Sequence, residues 1–157
     1  MSLLTSNRLQ FTRLIGFTAV ELHPCLITSF VIGYAQAVLV EKHGVEQSLQ
    51  RLLPSLPTVC RHTDVIHLWH EGTVLHGCRY DWVHHKIRPW GNDLPVQCAQ
   101  CGHVRSWITV QGNNGASIIS CKTSGCPAKF SFNREHKDWF GGEVSGGRWL
   151  KVEFPAI

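Results

Sequence analysis

Four cysteines in the second half of this chain have the type and the spacing of metal ligands. Cys98 and Cys101 enclose two residues, and a second pair, Cys121 and Cys126, follows after nineteen more. Each pair can place two thiolate sulfurs about 2.3 Å from one ion, and Gly102 permits the tight backbone turn that this requires. Two such pairs provide the four sulfurs of a tetrahedral site. The sequence therefore predicts one structural Zn²⁺ bound by these four residues.

Other uses of these thiols are a disulfide bond, a redox site or an iron centre. Seven cysteines are an odd number, and the chain shows no convincing secretory leader, so we expect reduced thiols in an intracellular protein, nuclear or cytoplasmic. A redox Cys-x-x-Cys motif would lead into a helix, whereas residues 104–110 alternate like a strand. Four thiolates can also hold iron in the same geometry, and this alternative to zinc stays open.

Basic and aromatic residues are concentrated in the same half of the chain as the cysteine pairs. The formal net charge is +4; residues 78–157 hold ten Lys/Arg against six Asp/Glu, whereas residues 1–77 hold five of each. Five of the six tryptophans also lie in the second half. Because cations neutralise phosphates and aromatic rings stack on bases, this composition predicts contact with single-stranded or distorted nucleic acid. The candidate contacts are Arg105, Trp107, Lys122, Lys129 and Arg134.

The same tryptophans could instead serve one of two different roles. They can fill the thin core of a small metal-bound domain, or they can form a dry interface with a protein partner or a second copy of the chain. The hydrophobic fraction of 43% is enough for a real core, and the low charged fraction of 17% suggests a tendency to associate. A protein-interaction or oligomerisation module is therefore the leading alternative to nucleic-acid binding.

The N-terminal part that precedes these residues is predicted to be helical. Residues 25–40 form the longest apolar run, with Pro24 suited to its first turn and Gly44 to a left-handed cap after its end. Both sides of this helix are apolar, so we expect it to be buried in a core or in an oligomer interface. Its sixteen residues are too few to span a bilayer, and we expect no membrane insertion. Residues 45–53 predict an ordinary amphipathic helix that Pro54 ends.

Beyond these helices the pattern changes to strands. We expect strands at residues 65–69, 73–76, 104–110, 116–121, 129–133 and 148–154. The last strand is predicted to point Leu150 inward and Trp149 outward, after a mobile glycine-rich loop at residues 141–147. The chain is thus predicted to be an α+β protein, with a helical part at residues 1–60 and a β-rich metal-binding domain at residues 61–157.

Two catalytic functions are weaker alternatives. A Cys/His hydrolase would pair a cysteine outside the predicted metal site with a histidine that is near it in sequence. The available pairs are Cys25 with His23, Cys60 with His62, and Cys78 with His84 or His85. A His-Asn-His nuclease would use His84 or His85, Asn113 or Asn114, and His136. Four thiolates leave no open position on a zinc ion, so we do not expect the metal itself to be catalytic.

Histidines also cluster just before the cysteine pairs and could form a second metal site. The residues available to it are His67, His70, His76, Cys78, His84 and His85. His67 and His70 are three positions apart on a predicted strand and would point to opposite faces. We therefore expect these histidines not to share a metal ion.

The segment 95–135 resembles a known family of small metal-binding domains. Its Cys98-Ala-Gln-Cys101-Gly102 motif, three strands and second cysteine pair look like the zinc ribbons of transcription and nucleic-acid-processing proteins. A wider block is similar to a group of uncharacterised fungal proteins, and it comprises residues 61–69, 85–91 and 94–98. The ribbon resemblance implies a small, stable platform for nucleic acid or protein. This chain departs from the common ribbon pattern because its second pair encloses four residues, which loosens that turn.

Overall fold

The computed structural model describes residues 12–105, 107–111, 117–132 and 138–156. Three α-helices lie in the N-terminal part, and their bounds are Pro24–Ala35 for α1, Val45–Leu52 for α2 and Pro57–Cys60 for α3. Antiparallel strands follow the helices. The predicted α+β fold class is therefore confirmed.

The described strands form two separate sheets. The larger sheet has the order β1-β2-β3-β8-β7, with bounds β1 Arg13–Phe17, β2 Val65–Glu71, β3 Val74–Val83, β7 Asp138–Val144 and β8 Gly147–Glu153. The smaller sheet has the order β4-β5-β6, with bounds β4 Trp107–Gln111, β5 Ser117–Cys121 and β6 Lys129–Phe132. The predicted strand at residues 104–110 begins only at Trp107, because Arg105 has a φ of 49° that interrupts the extended backbone.

The main core is formed by the helices and the larger sheet. Val45, Leu49 and Leu53 recur every fourth residue on α2 and the turn after it, so one face of this helix is apolar and buried. On α1, the Phe30 ring lies 5.6 Å from that of Phe17 on β1 in an edge-to-face contact. The largest buried residues that the sheet contributes to the same core are Tyr80, Trp82 and Trp149. Burial of each large apolar side chain stabilises the fold by roughly 1.5–3 kcal/mol.

Strand β1 belongs to the larger sheet although it precedes the helices in the chain. It pairs with β2 from Arg13 opposite Trp69 to Phe17 opposite Val65. The sequence pattern did not indicate this strand, because its pairing partner lies about fifty residues away and the short run carries no turn signal. The division into domains at residue 60 stays a prediction.

The predicted apolar helix at residues 25–40 consists of α1 and a π-helical turn at Gln36–Val40. Pro24 lies in the first turn, as expected. Phe30 is fully buried, whereas Ile32 is 62% exposed and Val40 is 74% exposed. Burial in the core therefore holds for one face of the helix, and burial of the other face in an oligomer interface stays a prediction. In the part of the chain that the structure describes, no helix combines the length and apolarity needed to cross a bilayer.

The glycine-rich segment near the C-terminus forms a strand, and the prediction of a mobile loop is wrong. Residues 138–140 and Val144 pair with β8 on either side of a bulge at residues 141–143, and Ser145 and Gly146 form the connecting turn with φ angles of 53° and 79°. Two positive φ angles are what a tight two-residue hairpin requires. The prediction that Trp149 points to solvent is also wrong. Trp149 is fully buried because β8 lies between β3 and β7, where its register partners are Trp82 and Phe140.

Candidate metal centre and adjoining cavities

The first cysteine pair lies in a tight turn before β4. The backbone N–H of Cys98 donates to the carbonyl of His103 at 2.9 Å, and the N–H of Gly102 donates to the carbonyl of Cys98 at 2.9 Å. Gly102 has a φ of 74°, a conformation that strains residues with a Cβ atom. The local sequence thus fixes a turn that brings Cys98 and Cys101 close together.

The second pair lies in a similar turn between β5 and β6. The N–H of Cys121 donates to the carbonyl of Ala128 at 3.0 Å, and the N–H of Cys126 donates to the carbonyl of Thr123 at 3.0 Å. The two additional residues of this pair are absorbed in a turn whose Gly125 has a φ of 76°. The longer spacing therefore still returns Cys126 to the site.

The four sulfur atoms converge as the sequence requires for a metal ion. All four lie within 4.8 Å of one another. Cys98 Sγ lies 3.7 Å from Cys126 Sγ, and Cys101 Sγ lies 3.6 Å from Cys121 Sγ. Tetrahedral zinc with Zn–S bonds of about 2.3 Å separates its sulfurs by about 3.8 Å, whereas a disulfide bond is about 2.05 Å long. The cluster can hold a metal ion, and its geometry fits a tetrathiolate site.

The environment of the sulfurs favours a negative charge on Cys101. The backbone N–H of His103 and the hydroxyl of Thr123 lower the pKa of Cys101 to about 6. The pKa of Cys126 is raised to about 12; the N–H of Ala128 lowers it, but desolvation and the three neighbouring sulfurs outweigh that contact. A second thiolate beside the first is thus unfavourable without a cation, and a divalent ion removes this penalty.

The histidines take other roles. Among the residues that the structure describes, the group of side chains that could hold a metal ion is the four-cysteine cluster, and no histidine belongs to it. His67 stacks on Trp69 at 4.8 Å, and Trp69 stacks on His76 at 5.5 Å. His84 and His85 stack on each other at 4.9 Å.

Of the three other cysteines, Cys60 and Cys78 are buried and Cys25 is exposed. Cys60 is buried and its thiol donates to the carbonyl of Pro57 at 2.9 Å; burial raises its pKa. Burial also raises the pKa of Cys78. Beside Cys25, the ring nitrogen Nδ1 of His23 accepts the backbone N–H of Cys25 at 3.3 Å and so caps α1. Asn113, Asn114 and His136 of the nuclease alternative lie outside the described residues.

Three of the five predicted nucleic-acid contacts line one cavity beside the metal cluster. This basic cavity, of about 620 Å³, is lined by His85, Lys86, Arg105, Trp107, Ile108, Thr109 and Lys122. Trp107 is held by an N–H donated to the carbonyl of Pro95 at 2.8 Å and by an edge-to-face contact with Phe130 at 5.1 Å. Lys129 is exposed on β6 and does not line this cavity, and Arg134 lies outside the described residues.

Several cations in this half of the chain pair with carboxylates, whereas those at this cavity, like Lys129 and Arg148, form no such pair among the described residues. Arg88 pairs with Asp64 and Asp93, and Lys151 pairs with Glu46 and Glu153. Across the described residues, no carboxylate forms an ion pair with the cavity cations Lys86, Arg105 and Lys122. The uncompensated positive charge therefore gathers around the basic cavity.

Sequence reasoning did not find a second cavity that adjoins the first. This tryptophan cavity has a volume of about 280 Å³ and lies between the two sheets. It is lined by Val83, His85, Pro89, Trp90, Thr109, Trp139, Glu143, Gly146, Gly147 and Arg148. His85 and Thr109 line both cavities, and the Thr109 hydroxyl donates to the carbonyl of His85 at 3.0 Å. Its residues come from three segments that are distant in sequence, residues 83–90, Thr109 and residues 139–148, which no local pattern connects.

Compared with known proteins, the chain matches no family model, and no curated protein and no solved structure is significantly similar to it. The resemblance to zinc ribbons rests on the spacing of the cysteines and on the geometry of their sulfurs.

Proposed function

We propose that this chain is a non-catalytic nucleic-acid-binding module whose smaller sheet is held together by Zn²⁺. The observation that supports this function is the basic cavity, in which Lys86, Arg105 and Lys122 lie beside a tryptophan and pair with no described carboxylate. Unpaired cations beside an aromatic ring suit the phosphates and bases of a single strand.

Zinc is the metal that we assign to the four cysteines, in a zinc-ribbon arrangement. Thiolates are soft ligands, and four of them in a tetrahedron suit Zn²⁺ or iron. Four protein ligands leave no position for water or substrate, so the ion would be structural. It would cross-link the turns before β4 and after β5 and so position Arg105 and Lys122, each of which is close in sequence to a cysteine ligand.

The proposal is tested by removing two cavity lysines and measuring the salt dependence of binding. We expect the chain to bind a fluorescein-labelled single-stranded 12-mer with an affinity that falls steeply between 50 and 200 mM salt, on the order of the counterion effect of several phosphate contacts. The double substitution Lys86→Ala with Lys122→Ala removes two such contacts. It should weaken binding and reduce the slope of log K against log salt by about 1.4, or roughly 0.7 per contact on a single strand.

The matched control is Lys129→Ala, which removes one positive charge outside the basic cavity. It should leave the affinity within a factor of about two, since Lys129 lies two strands, or about 10 Å, from the cavity residue Ile108, and salt screens a charge over roughly that distance. Absent binding, binding that is insensitive to salt, or a Lys129→Ala effect as large as that of the cavity lysines would contradict the proposal.

A second candidate function is self-association, and the exposed apolar side of the first helix favours it. Ile32, Leu39 and Val40 are 62%, 64% and 74% exposed. Large apolar side chains that lie together on a surface are typical of protein interfaces. This function does not exclude nucleic-acid binding, because the helix and the basic cavity lie in different parts of the fold.

A further inference from the structure

The walls of the tryptophan cavity are two indole rings set at an angle. The ring centroids of Trp90 and Trp139 lie 5.9 Å apart, with an interplanar angle of 52°. Gly147 lines the cavity between them, and a Cβ atom there would lie 2.5 Å from the carbonyl oxygen of Val83 and 2.6 Å from the ring of Trp82. A side chain at this position cannot be accommodated, because Gly147 lets β8 approach the Val83 backbone and the Trp82 ring closely.

The backbone of Trp90 is held in an unfavourable conformation. Its φ and ψ are 53° and 32°, in the left-handed region that bulky residues avoid. The buried Arg88 side chain keeps the segment in place, because it pairs with Asp64 at 2.8 Å and donates to the carbonyl of Gly91 at 3.0 Å. Strain of this kind persists where surrounding contacts enforce it, and it is concentrated at ligand sites.

The polar groups of the cavity suit the edge of a base that carries an amino group. The Thr109 hydroxyl uses its proton on the carbonyl of His85, so its oxygen is left as an acceptor. The carboxylate of Glu143 is also an acceptor. The amino groups at C4 of cytosine and C6 of adenine are donors, whereas thymine and guanine have a carbonyl acceptor at the corresponding position.

A positive charge in the cavity argues against a cationic ligand. The Arg148 guanidinium lies 5.5 Å from the centre of the Trp139 ring and lines the cavity. It already makes the cation–π contact with Trp139 that an alkylammonium group would need, and its charge offsets that of the Glu143 carboxylate. A neutral planar ring attached to a phosphate is compatible with both the indoles and the guanidinium.

We propose that the tryptophan cavity binds one unstacked, amino-bearing nucleobase, cytosine or adenine, of the strand whose phosphates lie in the basic cavity. This rests on the proposed function. The two cavities adjoin at a shared wall formed by His85 and Thr109, so neighbouring nucleotides of one strand can reach both. The volume of about 280 Å³ is at the low end of the range for small-molecule sites, and this fits one ring system rather than a stack of bases.

The test compares strands with and without bases. The probes are labelled 12-mers of deoxycytidine, deoxyadenosine and thymidine, and a strand of the same length with abasic sugars. We expect the unsubstituted chain to bind the cytidine and adenosine strands more tightly than the thymidine or abasic strands. Trp139→Ala should weaken binding of the cytidine strand roughly 5- to 150-fold, the range for loss of one stacked base, and leave the abasic strand unaffected.

Two further variants complete the design. Glu143→Gln replaces an exposed acceptor by an amide that can also donate, so it should reduce the preference for cytidine over thymidine without affecting the fold. Trp69→Ala is the matched control, since it removes a half-buried tryptophan that lies far from the tryptophan cavity. Trp69 is opposite His76 on β3, and His76 is seven residues, or about 23 Å, from the cavity residue Val83. It should change none of the four affinities.

The outcomes distinguish this inference from the proposed function. Failure of all four strands to bind would overturn the proposed function, and the base site with it. Salt-dependent binding in which the abasic and cytidine strands are equal, or in which Trp139→Ala weakens both alike, would overturn the base site alone. Equal affinity for thymidine and cytidine would overturn the assignment of an amino-bearing base.

Discussion

Among the single residues, His67 shows how burial decides the role of a histidine. It is one of the clustered histidines that we expected not to share a metal ion, and its side chain is buried on β2 and stacks on the Trp69 ring. Burial lowers its pKa to about 4, and the positive charges of Arg13 and Lys151 add to this while Glu46 opposes it. Within the described residues, its Nε2 atom has no hydrogen-bond partner. The imidazole is therefore neutral in the folded protein over most of the accessible pH range.

The lowered pKa predicts a loss of stability in acid. The unfolded chain takes up a proton at His67 near pH 6.5, and the folded chain does so only near pH 4. The contribution of His67 to the free energy of unfolding is therefore fully present above pH 6.5 and is lost as the pH falls towards 4. Its size at pH 4 is about 3 kcal/mol. The free energy of unfolding is measured in urea at pH 7.5 and pH 4 for the wild type and for His67→Phe. Between these two pH values, the free energy of unfolding of the wild type should fall by about 3 kcal/mol more than that of the variant. Equal losses of unfolding free energy in the two proteins would show that folding does not lower the pKa of His67.

At the level of elements, the metal turns were predictable and the larger sheet was predictable only in part. The cysteine pairs, Gly102 and the alternation of the strands are local signals, and the structure places β4, β5 and β6 within three residues of their predicted bounds. Strands β1 and β7 were not predicted, because each is defined by pairing with a distant strand and β7 contains two glycines. Trp149 was assigned to the wrong side for the same reason: alternation cannot reveal that both faces of a strand are covered.

Removal of the metal should loosen the smaller sheet and spare the larger one. The core cluster of the larger sheet contains no described residue between 83 and 138, so it does not depend on the cysteine turns. We expect one zinc per chain by elemental analysis, and a chelator or Cys126→Ser should accelerate hydrogen exchange in β4–β6 while β2, β3 and β8 stay protected.

Cys25→Ser serves as the control, since it removes an exposed thiol outside the cluster. It should leave both the metal content and the exchange rates unchanged. Absorption bands of an iron–thiolate centre would contradict the assignment of zinc, and unchanged exchange after chelation would contradict a structural role for the ion.

For the whole molecule, the exposed apolar side of α1 and its π-helical continuation predicts self-association. The opposite side packs on the core through Phe30, so the exposed residues are not needed to attach the helix to the core. We expect the assembly mass to rise with concentration in analytical ultracentrifugation. Ile32→Glu places a charge on the exposed side and should shift the chain to the monomer, with a change in unfolding free energy within about 0.5 kcal/mol, as is usual for surface substitutions. A variant that associates like the wild type would exclude this face as the interface.

The contact between Thr109 and His85 joins the strand after one metal turn to the end of the larger sheet. A ligand that fills the cavities on both sides of this contact would restrain the two sheets together. By thermodynamic reciprocity, any gain in ligand affinity that zinc provides must appear as an equal gain in zinc affinity when the ligand is present. The dissociation constant of zinc, measured by competition with a chelator, would then be lower in the occupied protein and would report occupancy at a distance from the cysteines.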